Sequence, residues 1–468
     1  MFRVFPSRAS SGVVYEALLD GILGFVAVLA AALTLGVLPG KWLTADLLAV
    51  LSDGQAMLTA LCFAVVMALL QSCIGMYRQR MALSSTALRL STVVVLGGYG
   101  TYLALKEFSL HPHPGPLVAT ATIYFVLAIL LLRGLAQVVH RQVGVPRVLI
   151  VGTGAEAQGV LNDMRADGRH LREVVGFFPT SFDGESSVDG APVFERTRPL
   201  QDVVEKYGVH EIVVAVREQR GGGMPMDQLL TCRTRGTKIL DMAAFYERSH
   251  AQVPVDSLKA SWLVYGEGFV QGPIRRFAKR TFDILSSMLL LVIASPIMLL
   301  TAVAIKLDSR GPLLYRQERV GLGGTKFQCV KFRSMRTDAE SDGVARWASK
   351  NDNRVTRVGA ILRKTRIDEL PQLISVLSGK MSIVGPRPER PEFVAKLREE
   401  IPFYDLRHGV KPGVTGWAQV RYTYGASVED ARKKHQFDLY YLKNNSVWLD
   451  LQILVETVTV VLFREGAH

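Results

Sequence analysis

Apolar positions fall into long blocks in the first third of the chain and alternate with polar ones only later. Four apolar runs, roughly 14–38, 47–76, 88–107 and 117–139, each approach the about 20 residues that cross a bilayer core. The first run alone would suit a signal peptide, but with three more behind it the expectation is a retained anchor. Positive charge is uneven in the connections. Arg3 and Arg8 precede the first run, Arg78, Arg80 and Arg89 separate the second from the third, and Arg133, Arg141 and Arg147 follow the fourth. The other two connections hold only Lys41, and Lys106 beside Glu107. The positive-inside rule then puts the N-terminus and everything after residue 140 in the cytoplasm.

A further apolar segment, "FDILSSMLLLVIASPIMLLTAVAI" at 282–305, is also long enough to span. Its flanks are basic on both sides: Arg275, Arg276, Lys279 and Arg280 before, Lys306 and Arg310 after. A spanning helix would put one cluster on the wrong face. Midway stand Ser295 and Pro296. The proline removes a backbone donor and crowds the preceding turn, and the serine hydroxyl is placed to bond a freed carbonyl. The pattern predicts a re-entrant hairpin with both ends cytoplasmic; a kinked fifth span is the alternative. The last apolar run, 446–463, carries Asp450, Gln452 and Glu456 and reads as an interfacial or packed helix.

Between these segments, residues 146–260 alternate strand and helix patterns. "RVLIV", "EVVGFF", "EIVVAV" and "TKILDM" read as strands of a parallel α/β sheet. Gly152 and Gly154 open a G-x-G-x-x-A turn of the kind that receives a diphosphate at a helix N-terminus. The second strand lacks the expected terminal acid, and Glu156 sits inside the turn, where it would compete with phosphate. A degenerate or regulatory domain and a nucleotide-binding one both stay open. The predicted fold is therefore a four-span helical bundle (1–140), a cytoplasmic Rossmann-like α/β domain (141–265), a re-entrant membrane hairpin (266–310) and an α/β catalytic domain with its terminal helix (311–468).

The net charge of +13 over 468 residues points to an anionic partner. The apolar blocks favour lipid head groups and phosphorylated substrates, and no nucleic-acid partner is expected. Cys62, Cys73, Cys232 and Cys329 lack metal-ligand spacing or a disulfide framework and read as reduced structural thiols.

Cations are dense after the hairpin: Arg316, Arg319, Lys326, Lys331, Arg333 and Arg336 flank a turn at Gly321, Gly323 and Gly324. Alternation in "KFQCVKFRSM" puts Lys331 and Arg333 on one strand face. Asp368 and Glu369 follow, just ahead of Pro371, with Arg363, Lys364 and Arg366 before them and Arg387 in a Pro-Arg-Pro turn after. Adjacent helical side chains diverge by about 100°, so the two acids cannot be interchangeable. One can face phosphorus while the other reaches Mg²⁺, which needs only one or two carboxylates beside substrate phosphates. The surrounding cations are expected to keep both ionised. Helix-start acids paired with Arg363 and Arg366 are the bland alternative.

Four motifs then occur in order: Lys331-Phe332-Arg333-Ser334-Met335, Asp368-Glu369-Leu370-Pro371-Gln372, Val384-Gly385-Pro386-Arg387-Pro388, and "RHGVKPGVTGWAQV" at 407–420. With the Ser-Pro hairpin, they make residues 270–468 resemble the bacterial sugar transferase family, the polyprenyl-phosphate hexose-1-phosphate transferases that begin exopolysaccharide and O-antigen assembly. The resemblance implies that a UDP-hexose reacts with undecaprenyl phosphate at the inner membrane, giving undecaprenyl-diphosphate-hexose and UMP. It implies a nucleophile at Asp368, a Mg²⁺ ligand at Glu369, and phosphate-binding cations at Lys331, Arg363 and Arg387, with Arg333 in the same motif. Two positions depart from the family pattern: Lys380 stands where an acid is common, and Arg421 where asparagine is. A homodimer is compatible with the large apolar surfaces.

Two other functions compete. A membrane nucleotide-sugar dehydratase or epimerase needs a Tyr-x-x-x-Lys pair after the glycine turn, and the chain offers only Tyr102 and Lys106 before it. A nucleotide sensor would leave the motifs at 331–420 unexplained.

Overall fold

The computed structural model describes residues 11–36, 54–73, 83–107, 114–143, 145–166, 172–181, 188–216, 224–255, 258, 268–269, 271–337, 339, 354–422, 425 and 427–463. They form two compact units, residues 1–133 with 266–468, and residues 134–265.

Helices stand at all four N-terminal apolar runs: α1 (Ser11–Gly36), α2 (Gly54–Cys73), α3 (Leu83–Glu107) and α4 (Pro114–Val143). Leu18–Leu35 of α1 and Pro114–Leu132 of α4 are long and apolar enough to cross a membrane, and Gly54–Ala68 is a shorter apolar stretch. Their core interleaves small and large residues, among them Ala27, Ala31, Ala60, Phe63, Met67, Ala121 and Phe125. Phe63 meets Phe125 edge-on with ring centroids 5.9 Å apart. Gly97 lets α3 approach closely, because a Cβ there would collide with the Met67 sulfur. The charges on which orientation rests lie outside the described residues at Arg3, Arg8, Lys41, Arg78 and Arg80, as do the side chains of Arg89, Arg133 and Arg141.

The second unit carries the expected parallel strands. They are β1 (Arg147–Val151), followed by α5 (Ala155–Ala166); β2 (Glu173–Phe178), followed by α6 (Leu200–Tyr207); β3 (Glu211–Val214), followed by α7 (Met226–Thr234); and β4 (Lys238–Asp241), followed by α8 (Met242–His250). The sheet order is β2-β1-β3-β4 with every pair parallel. Gly152, at φ +119°, lets the chain leave β1 beside β3, since a Cβ there would stand 2.8 Å from the Ala215 carbonyl oxygen. The Glu156 carboxylate lies over the turn, 3.5 Å from where a Gly154 Cβ would be.

The first unit resumes with α9 (Pro273–Asp308), which contains Pro296. Ser295 Oγ donates to the Val292 carbonyl at 2.8 Å, the carbonyl that the missing N–H of Pro296 leaves free. An antiparallel hairpin follows, β5 (Leu314–Val320) and β6 (Lys326–Phe332), joined by the predicted glycine turn. Then come α10 (Arg357–Thr365), a 3-10 turn (Ile367–Glu369), α11 (Gln372–Leu377), β7 (Ser382–Val384), α12 (Pro391–Glu400), a second 3-10 turn (Tyr404–Gly409), β8 (Gly413–Thr415), α13 (Trp417–Arg421), α14 (Val428–Asn444) and α15 (Val447–Phe463). β7 and β8 pair in parallel.

Both arms of α9 rest on this α/β body. At one end Arg280 donates to the Val376 and Leu377 carbonyls, both at 2.7 Å, and Asp283 accepts from Ser382 Oγ and Ile383 N. At the other, Ile305 packs with Phe332 and Leu362, and Asp308 accepts from Val358 N. The outward faces of α9 remain apolar and exposed, as at Leu289, Val292, Leu299 and Leu300. The terminal helix α15 is packed: Asp450, Gln452 and Glu456 are buried, and the helix touches β7, β8 and α13 as well as α1 and α2. Among the described cysteines, Cys62, Cys232 and Cys329 are free thiols.

Candidate active site

The site begins where α10 is forced to stop. Thr356 caps its N-terminus, accepting from Gly359 N at 3.0 Å. Its C-terminus turns through Arg366, a left-handed residue at φ 56°. A non-glycine residue held there stores strain, which the surroundings must over-determine. The turn swings the chain back, so the 3-10 segment Ile367–Glu369 lies against β6. Asp368 and Glu369 are thereby both buried, at 7% and 8% exposure.

Their surroundings differ, as adjacency on a tight turn requires. Glu369 takes two cations. Its Oε1 accepts from Lys331 Nζ at 3.0 Å and from Arg387 Nη2 at 2.6 Å, and its Oε2 from Arg387 Nη1 at 3.3 Å. This is a forked Arg–carboxylate pair with a lysine added. Asp368 accepts no hydrogen bond from the described residues, although Lys331, Arg387 and Arg363 all act on it electrostatically.

Arg387 is held by its backbone. The Pro386 carbonyl accepts from Gly413 N at 2.9 Å, the Arg387 carbonyl from Arg407 Nη2 at 2.9 Å, the Pro388 carbonyl from Arg319 Nη1 at 3.2 Å, and the Glu389 carbonyl from Val320 N at 3.0 Å. Four consecutive carbonyls are thus taken by β8, the second 3-10 turn and β5. Arg407 is itself buried between Asp438, at 2.8 Å, and the Tyr404 hydroxyl, at 2.6 Å. The loop is therefore set before any ligand arrives.

The two acids titrate apart. Burial pushes the Asp368 carboxyl up to about 6, helped by the neighbouring Glu369 charge and opposed by Lys331, Arg387 and Arg363. Burial would also raise Glu369, but Arg387 and Lys331 outweigh it and hold that carboxyl well below the usual range. The expectation that the cations keep both acids ionised therefore holds fully for Glu369 only. Asp368 is ionised above pH 6 and has no hydrogen-bond partner among the described residues. A desolvated carboxylate beside cations that can receive phosphate is suited to attack on phosphorus.

The model of the family described as bacterial sugar transferase matches residues 274–464. A UDP-glucose:undecaprenyl-phosphate glucose-1-phosphate transferase of Xanthomonas campestris pv. campestris is 33% identical over 407 residues, 81% of this chain and 82% of that protein. The chain belongs to the bacterial sugar transferase family. Within that family, an undecaprenyl-phosphate galactose phosphotransferase of Salmonella typhimurium is 32% identical over 344 residues, 69% of each chain. A UDP-N-acetylgalactosamine-undecaprenyl-phosphate N-acetylgalactosaminephosphotransferase of Aeromonas hydrophila is 44% identical over 240 residues, 51% of this chain. That match spans little more than half of the Aeromonas protein, 56% of its length.

In this bacterial sugar transferase the predicted site residues do not all converge. Lys331 and Arg387 meet at Glu369, and Arg363 stands at the end of α10 within electrostatic reach of Asp368. Arg333 does not join them. The strand ends at Phe332, so the alternation expected to align Arg333 with Lys331 stops one residue short. The Arg333 guanidinium is buried and donates to the Ser309 and Arg310 carbonyls at the end of α9. Arg421 stacks 4.2 Å over the Trp417 ring and pairs with Glu456 at 2.7 Å, a structural use of that departure. Lys380 is exposed behind α11. Gly152 and Gly154 belong to the other unit. Arg319, Arg407 and Asp438 were given no role from sequence; Arg319 stood in the cation run around the glycine turn and Arg407 opened the fourth motif, while Asp438 carried no signal.

Among the described residues, no group of three or more His, Cys, Asp or Glu side chains is spaced to hold a metal. The donors nevertheless suit Mg²⁺, because Asp368 and Glu369 are hard carboxylates and substrate phosphates would complete the shell. Glu369 is the acid that would hold it. Its oxygens face Lys331 and Arg387, so a metal there would share Glu369 with both cations.

Proposed function

We propose that the chain transfers hexose-1-phosphate from a UDP-hexose to undecaprenyl phosphate, giving undecaprenyl-diphosphate-hexose and UMP, as the initiating step of exopolysaccharide or O-antigen synthesis. The observation that carries this reading is the split acid pair, an unpartnered, buried Asp368 beside a Glu369 locked to Lys331 and Arg387. The names of the relatives support the same substrate classes.

In this scheme the Asp368 carboxylate attacks the β-phosphorus, the bond to the α-phosphate oxygen breaks, and UMP leaves. The aspartyl phosphosugar is then attacked by an oxygen of undecaprenyl phosphate, which regenerates the carboxylate. Lys331, Arg363 and Arg387 bind the diphosphate and offset its charge. Mg²⁺, held at Glu369, supplies further charge neutralisation on the phosphates.

The membrane arrangement belongs to the same proposal: four spans, with the N-terminus and catalytic body on the cytoplasmic side of the inner membrane, and a re-entrant α9. A straight helix would separate Arg280 from Ile305 by about 37 Å. Yet Arg280 holds the end of α11 while Ile305 packs on Leu362 of α10, and the 3-10 turn Ile367–Glu369 lies between these two short helices. The buried residues Asp283, Ser287, Ala294, Thr301 and Ile305 are also spaced symmetrically about Ala294, beside the Ser-Pro pair. The contacts at the two ends support a bend, and the 4-7-7-4 spacing places the buried residues on one helix face. Residues 134–265 are read as a Rossmann-like unit, in which Glu156 beside the glycine turn would compete with a phosphate. A homodimer through the apolar helices fits this arrangement.

A UMP-release assay across UDP-glucose, UDP-galactose and their N-acetylated relatives tests the proposal and identifies the sugar. Release should require both undecaprenyl phosphate and Mg²⁺. Failure with every UDP-sugar would overturn it.

A further inference from the structure

A second cationic cluster lies at the foot of α9. The turn after α11 closes through Gly379, in a left-handed conformation at φ +81°. A Cβ at Gly379 would stand 3.7 Å from Arg280 Nη2 and 3.7 Å from Lys411 Nζ, so the two nitrogens lie within twice that distance of each other. Two oxygens of one phosphate can bridge such a gap with charge-assisted hydrogen bonds of about 2.8 Å each. Lys380 follows directly and is exposed.

None of these three cations has an ion-pair partner among the described residues. Arg280 is fixed by the Val376 and Leu377 carbonyls rather than by an acid. Lys380 and Lys411 have no hydrogen-bond or ion-pair partner among the described residues. The acid acting on Lys411 is Asp283, whose Oδ1 already serves Ser382 Oγ, Ile383 N and Lys279. The Lys411 ammonium is correspondingly disfavoured, by burial first and then by the Arg280 and Lys279 charges.

The depth of the cluster identifies what would fill it. Phe277, three residues before Arg280, is 74% exposed, and Met288, eight residues after it, is 55% exposed; both lie within about a quarter-turn of Arg280 round the helix. Arg280 therefore stands among exposed apolar side chains of α9, a setting suited to a lipid phosphate. The charges named around the acid pair are those of Lys331, Arg363, Arg366 and Arg387, a different set.

We propose that Arg280, Lys380 and Lys411 bind the phosphate of an anionic phospholipid head group, whose acyl chains run past Met288 along the exposed apolar surface of α9. This site is independent of the transfer reaction and anchors one arm of the helix to the bilayer surface.

Native mass spectrometry of the full chain in neutral detergent tests this, with phosphatidylglycerol or phosphatidylcholine of identical acyl chains added. Wild type should retain at least one more phosphatidylglycerol than phosphatidylcholine. Lys380→Gln/Lys411→Gln should bind it about tenfold more weakly. Lys326→Gln/Lys396→Gln, which removes the same charge elsewhere, should not. Equal retention of the two lipids, or equal loss in both double variants, would overturn the proposal. Inorganic phosphate in excess should fail to displace the lipid; complete displacement would make this a soluble-phosphate site and refute the lipid assignment.

Discussion

At the scale of single residues, the account turns on Asp368. Its folded pKa of about 6 lies above the ordinary 3.8, so the folded protein holds the proton more tightly than the unfolded chain does. The associated stabilisation is complete below pH 3.8 and is lost as the pH rises through 6. At pH 7.5 the ionised group therefore costs stability, roughly 2–3 kcal/mol at most. Asp368→Asn should raise the thermal midpoint at that pH while abolishing UMP release, and a lowered midpoint in scanning fluorimetry would refute the burial argument. The acid limb of the pH–rate profile should fall with an apparent pKa near 6. Arg387→Met removes a charge that lowers the Asp368 pKa, so residual activity should show the limb displaced to higher pH. Glu369→Gln removes one that raises it and should displace the limb downward. Shifts of opposite sign would show that Asp368 does not govern the limb.

At the scale of elements, the catalytic geometry is held by contacts distant in sequence. Arg407 fixes the Arg387 carbonyl and pairs with Asp438 on α14. Arg407→Met would leave Asp438 buried without its cation, and thermal unfolding should show a loss of about 3–5 kcal/mol. A loss under 1 kcal/mol would mean that the loop does not depend on this clamp. The acids, Lys331 and Arg387 were legible in the sequence because each lies in a short motif whose charges have few other uses. The Arg407–Asp438 pair was not, because a contact across 31 positions leaves no local pattern (438 less 407). Arg333 was misplaced for the opposite reason: alternation persists in the letters after the strand has ended at Phe332. The Ser295–Pro296 pair was legible because proline chemistry is local, and Ser295 does bond the carbonyl that Pro296 leaves free. Ser295→Ala should cost about 1 kcal/mol.

At the scale of the whole molecule, the terminal helix α15 packs against both the α/β body and α1 and α2, joining the N-terminal helices to the catalytic segment in one unit. Periodicity indicated a long apolar helix there but could not name its neighbours. The re-entrant reading predicts that single cysteines at Arg276 and Arg310, in a background without the four native ones, label from the cytoplasmic side only. Labelling from opposite sides would make α9 a span. The central claim is that Asp368 carries the sugar phosphate, and mass spectrometry of the chain incubated with UDP-hexose in the absence of undecaprenyl phosphate tests it most directly. The account predicts a hexose-phosphate adduct on the Asp368 peptide, discharged by undecaprenyl phosphate and absent from Asp368→Asn. No adduct, with Asp368→Asn still releasing UMP at the full rate, would contradict it.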